Sequence, residues 1–121
     1  MEIKIIDGGF SVLKVKSTTD IDLSREYTFA AITDEEISLV CKSEIAPTAY
    51  AEREDGWRCF RIEGTLDFSL IGIIADISKI LAENKIGIFV VSTYNTDYVL
   101  TKAHNFDKAV LLLKNNGYKT E

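Results

Sequence analysis

Leu70-Ile-Gly-Ile-Ile-Ala-Asp-Ile-Ser-Lys-Ile-Leu81 and, a few residues on, Ile86-Gly-Ile-Phe-Val-Val-Ser-Thr-Tyr-Asn-Thr-Asp-Tyr-Val-Leu-Thr101 place two hydrophobic periods side by side. In the first, Leu70, Ile73, Ile74, Ile77, Ile80 and Leu81 recur at i, i+3, i+4 spacing, with Asp76 and Lys79 off the stripe. That spacing predicts an amphipathic helix, starting near Asp67 or Ser69 as its cap and ending near Asn84 with Gly87 beyond. In the second, the β-branched and aromatic runs Ile86–Thr93 and Tyr98–Thr101 flank the turn formers Asn95 and Asp97. They predict a β-hairpin.

Upstream, Trp57-Arg-Cys-Phe-Arg-Ile-Glu63 has near period-2 patterning and reads as a strand. Downstream, Asn105 is placed to cap a helix over Phe106–Lys114, closed by Asn115, Asn116 and Gly117, with Tyr118-Lys-Thr120 as a last short strand. Residues 57–121 therefore read βαββαβ, the ferredoxin-like unit. The N-terminal half looks like a degenerate copy. Phe10–Lys16 is its first strand, and Tyr27–Ile32 and Glu36–Cys41 form a hairpin around Thr33-Asp-Glu35. Its connectors, Thr18–Glu26 and Glu44–Glu54, leave room only for stubby helices. The expected fold class is α+β, with two ferredoxin-like units in tandem over residues 1–56 and 57–121. Each sheet is expected to be antiparallel with helices on one face, and paired units would protect their edge strands and could associate further as a homodimer.

With 121 residues, 46% hydrophobic and 27% charged, the chain can bury a core but cannot hold a large multidomain enzyme. The net charge of −5 opposes phosphate backbones and anionic lipid, so neither nucleic acid nor a membrane is an expected partner. The charge is uneven: residues 1–56 carry twelve acids and six bases, residues 57–121 seven acids and eight bases. The asymmetry fits two halves with different surfaces or a solvated acidic face, of which the second is the expected reading. Cys41 and Cys59, with no CxxC pair and a single histidine, support neither zinc nor a disulfide framework, and no cofactor is expected. Reduced, buried thiols and a start without a long apolar segment fit a cytoplasmic protein.

Chemistry concentrates in two polar clusters, Asp67–Gly72 at the strand-to-helix junction and Ser92–Tyr98 at the hairpin. An RNA-binding signature, a metal-carrying CxxC and a phosphate-gripping Arg are all absent from the corresponding loops. A receptor for an amino acid needs donors for a carboxylate and acceptors for an ammonium. The helix opening at Ser69, Leu70, Ile71 and Gly72 offers backbone N–H groups for the carboxylate. In the hairpin, Thr93, Tyr94, Asn95, Thr96 and Asp97 complete the candidate ligand-binding set, with Asp97 facing an ammonium and the threonines offering hydroxyls. Each has a structural alternative: Asp97 as a turn residue, Ser69 as an N-cap, Gly72 as a site of tight packing, Tyr94 and Tyr98 as packing residues. His104 reads as a solvated connector.

Three strings, Trp57–Gly64, Leu66–Ile74 and Ser92-Thr-Tyr-Asn-Thr-Asp-Tyr-Val-Leu100, resemble the ACT family of small-molecule-sensing domains, in particular tandem ACT proteins akin to eukaryotic cytosolic arginine sensors. Phe10–Leu13 and Thr33–Val40 look similar to that group's first unit. The resemblance implies a non-catalytic regulatory module whose ligand, an amino acid, lies where the loop after a first strand faces a neighbouring unit. A protein-interaction or oligomerisation module with a vestigial pocket is the alternative, and an enzyme is not expected.

Overall fold

The computed structural model describes residues 1–63 and 72–121. The chain separates into two compact units, Gly8–Trp57 and Met1–Asp7 together with Arg58–Glu121. In this division the first seven residues group with Arg58–Glu121. The reason lies in β1, which runs from Glu2 to Val15 rather than from Phe10. Ile3 and Ile5, two residues apart, share the face packed into the helix-covered core, and Ile6 is buried on the opposite face, which extends the strand back to Glu2.

In the C-terminal unit, β4 (Glu52–Ile62) supplies its last five residues, followed by α1 (Ile73–Glu83), β5 (Phe89–Ser92), β6 (Asp97–Lys102), α2 (Ala103–Asn115) and β7 (Lys119–Thr120). The strands lie in the order β7-β1-β4-β6-β5, so the start of β1 sits between β7 and β4. β5 and β6 pair antiparallel, Phe89 opposite Leu100 and Ser92 opposite Asp97. β7 pairs parallel to β1, through Glu2 with Lys119 and Ile3 with Thr120, which corrects the expectation of purely antiparallel sheets.

The helical stripe forms as its period dictates. Ile77, Ile80 and Leu81 of α1 meet Phe106, Ala109, Val110 and Leu113 of α2 over Ile3, Phe60, Ile62 and Val99 of the strands. Phe60 and Phe106 rings stand 6.3 Å apart, tilted by 47°. The expected caps at Asp67 and Ser69 lie outside the described residues; Gly72 occupies the N-cap position at φ +99°. At the other end the left-handed closing residue is Lys85 (φ +60°) rather than Gly87, and Ile86 N–H reaches back to the Leu81 carbonyl at 2.9 Å. α2 begins at Ala103, two residues before Asn105, because β6 runs straight into it through Lys102. Tyr118 hydroxyl donates to Asp76 at 2.6 Å and ties the chain end to the first turn of α1.

The N-terminal unit has the same order of elements, with 3-10 turns in place of α-helices. β1 and β4 are joined by β2 (Phe29–Ile32) and β3 (Ile37–Lys42) in the order β2-β3-β1-β4, and two three-residue 3-10 turns, Thr18–Asp20 and Ser43–Ile45, stand where the other unit has α1 and α2. No α-helix occurs among the described residues of this unit, so helices on one face hold only for the C-terminal one. One buried cluster of this unit is Leu13, Val15, Leu39 and Cys41, flanked by Ile21, Ile37, Ile45 and Ala46, and Phe10 and Val40 are buried as well. The two hairpins match in register sixty positions apart, Phe29 opposite Val40 where the other has Phe89 opposite Leu100. Each is closed by a threonine: Thr33 N–H donates to the Glu36 carbonyl at 2.9 Å and Thr93 N–H to the Thr96 carbonyl at 2.8 Å.

Cys41 and Cys59 are free and buried. Burial pushes the Cys59 thiol from 9.0 up to about 12, against a smaller opposing pull from Arg61. A value raised in the folded state gives stability that is complete below about pH 9 and lost as pH climbs through about 12. Urea unfolding between pH 8 and 11 should therefore show stability falling with pH, with Cys59→Ala flattening part of that slope; equal slopes would contradict this. Gly72→Ala should cost about 1–2 kcal/mol in the same assay, because alanine resists the left-handed backbone.

Candidate functional site

Strand alternation puts Phe60 and Ile62 of β4 in the helix-covered core and turns Arg61 and Glu63 to the other side. There Arg61 Nε donates to Glu63 Oε1 at 2.6 Å and Arg61 Nη1 to the Tyr98 hydroxyl at 3.3 Å. Tyr98 reaches this side because it alternates with core Val99 on β6. The hydrogen bond to Glu63, then that to Tyr98, raises the Arg61 pKa still further, so the guanidinium stays charged at any physiological pH. The two side chains are each only about a quarter exposed, 25% and 24%, which makes the ion pair less screened than one fully in water.

These residues line a cavity of about 430 Å³ together with Thr93, Asn95 and Thr96 of the β5–β6 turn. The size falls in the range of small-molecule sites, roughly 300–1,000 Å³. The turn is held rigidly. Thr93 Oγ1 donates to the Thr96 carbonyl at 2.9 Å, and the buried Thr96 Oγ1 donates across to the Ile62 carbonyl at 2.6 Å. Thr96 thus locks the hairpin to β4 beside Arg61 and Glu63.

The expected site residues divide into three groups. Thr93, Asn95 and Thr96 are brought together at the cavity, although the Thr96 hydroxyl is spent on β4 rather than free for a ligand. Tyr94 is fully exposed, at 102%, and Asp97 opens β6 opposite Ser92 without lining the cavity. Gly72 is required by its backbone rather than by close packing: among the described residues no atom comes within 4 Å of where a Cβ would stand. Ser69, Leu70 and Ile71 lie outside the described residues. His104 is an exposed residue in the first turn of α2.

Arg61 and Glu63 line the cavity without being among the expected site residues, and Tyr98, expected as a packing residue, lines it with them. The signal for Arg61 and Glu63 is in the sequence: a cation and an acid two apart on a strand share the face opposite its apolar pair. Among the described residues there is no cluster of His, Cys, Asp and Glu that could hold a metal ion, and no helix long and apolar enough to cross a membrane.

Comparison with known proteins gives a consistent fold. A protein of Agobacterium tumefaciens superposes with a TM-score of 0.86 at 29% identity, over 99% of this chain and 91% of that one. A Vibrio cholerae protein of unknown function, described as a possible transport protein, follows with a TM-score of 0.73 at 19% identity over 94% and 88%. The regulatory subunit of aspartate kinase from Thermus thermophilus, in a ligand-free form, gives 0.63 at 9% identity over 93% and 95%, a likeness of fold alone. The chain matches no curated protein sequence. The ACT domain model matches residues 52–115, more than half of the chain, and on that match the chain belongs to the ACT domain family.

Proposed function

We propose that this ACT-domain protein is a non-catalytic regulatory module that binds an amino acid at the cavity of its C-terminal unit. The observation that carries this reading is the opposite-charge pair Arg61 and Glu63 on one wall of a cavity of suitable size. A zwitterion fits that pair: its carboxylate takes the guanidinium, its ammonium takes the carboxylate, and the Thr93–Thr96 turn and Tyr98 surround the rest. Ser69, Leu70, Ile71 and Gly72 belong to the same proposal as N–H donors at the helix opening, with Tyr94 and Asp97 at its margin.

The finer architecture follows the same line. The matched hairpins and the shared element order support two ACT units in tandem, as in the arginine-sensor-like group, the first reduced to strands and 3-10 turns. Free buried thiols suit a reducing, cytoplasmic setting. Among the described residues β5 ends the strand order beside β6, and that edge is where a homodimer would form. The ligand acts on such an assembly only by its differential affinity for two arrangements.

The alternative, an interaction module with a vestigial pocket, draws on the same ion pair: Arg61 and Glu63 already satisfy each other. Thermal shift and calorimetry with the twenty standard amino acids separate the two. The sensor reading expects at least one to bind, with Arg61→Met weakening it about tenfold or more. Uniformly absent heat and shift would favour the interaction module. Thr96→Val should cost about 1–3 kcal/mol of stability by stranding the Ile62 carbonyl, and should also weaken the ligand, since the turn loses its anchor.

A further inference from the structure

Among the described residues only Tyr27 (φ +58°) and Lys85 (φ +60°) adopt left-handed backbone without being glycine. Lys85 closes α1, an ordinary place for that conformation. Tyr27 closes no helix. It stands in a turn before β2, where a bulky aromatic in this region is strained and such strain concentrates at ligand clamps.

The strained turn sets the Tyr27 ring beneath Lys42, whose Nζ lies 5.3 Å from the ring centroid. On another side the Lys42 stem lies along Gly8, with Cδ and Nζ each 3.9 Å from where a Cβ would stand. The ammonium is therefore positioned by two neighbours. It borders a cavity of about 350 Å³ lined also by Arg25, Glu26, Glu44 and Ile45. The two units differ at this point. In the C-terminal unit β6 passes through Lys102 into the thirteen-residue α2, whereas β3 passes through Lys42 into a turn of three residues.

We infer that this cavity is a second small-molecule site, separate from the one at Arg61, and that it takes an α-amino acid. Lys42, seconded by Arg25, holds the carboxylate. Glu26 and Glu44 supply acceptors for the ammonium, and the Tyr27 ring and Ile45 receive the side chain. Two cations, two acids and two apolar surfaces around one small cavity match a zwitterion better than a simple anion, which would meet both carboxylates.

Amide NMR of the full chain, titrated with each of the twenty standard amino acids and with acetate, tests this. At least one amino acid should give saturable shifts at Ser24–Tyr27 and Lys42–Ile45, stronger than acetate gives. Lys42→Met should weaken that response about tenfold or more while sparing any response at Thr93–Asp97, and Arg61→Met should do the reverse. Tyr27→Gly, which relieves the backbone and removes the ring, should raise the urea midpoint or leave it unchanged while weakening the same response. Absence of saturable shifts at these residues, equal affinity in Lys42→Met and Tyr27→Gly, or an equal response to acetate would each overturn the inference.

Discussion

The alternation of β4 is the constraint from which both the core and the cavity of the C-terminal unit follow. A strand must send successive side chains to opposite faces, so burying Phe60 and Ile62 under the helices obliges Arg61 and Glu63 to the other side. One residue of slip would exchange the two sets, driving a guanidinium and a carboxylate into an apolar core. The same step that builds the fold thus places opposite charges 2.6 Å apart beside the β5–β6 turn. Thr96, donating to the Ile62 carbonyl between those two charged residues, fixes the turn against the strand.

The two units share an order of elements and differ in their helices. Their hairpins share register and the threonine closure of the turn, since these depend on local backbone geometry and one hydroxyl. The helices depend instead on a wide apolar stripe, which Ile73–Leu81 and Phe106–Leu113 supply and residues 18–26 and 43–51 do not. Among the described residues of the N-terminal unit, Leu13, Val15, Leu39 and Cys41 form one buried cluster, and Phe10 and Val40 are buried besides.

Most of the secondary structure was legible because its periods are strong: the stripe of α1, both hairpins and the short β7 follow from residues that speak for themselves. Boundaries were harder to read. β1 begins at Glu2 because Ile3 and Ile5 pack into the core of the C-terminal unit, a long-range fact that Phe10–Lys16 alone does not announce. α2 starts before Asn105 since a continuous path from β6 outweighs a side-chain cap. In the site, turn chemistry pointed to Thr93, Asn95 and Thr96, whereas Arg61, Glu63 and Tyr98 became neighbours only through the pairing of β4 with β6. Asp97 drew attention as an acid near a turn, yet Glu63 is the acid at the cavity.

The ion pair between Arg61 and Glu63 therefore has two meanings, a finished surface contact or a pair poised to be opened by a zwitterion. A co-crystal structure with an amino acid at saturating concentration decides between them directly. The account predicts the ligand carboxylate on the Arg61 guanidinium and its ammonium on Glu63, with the direct contact between those side chains broken. A saturated complex in which that contact is intact and the ligand lies away from the 93–96 turn would contradict it.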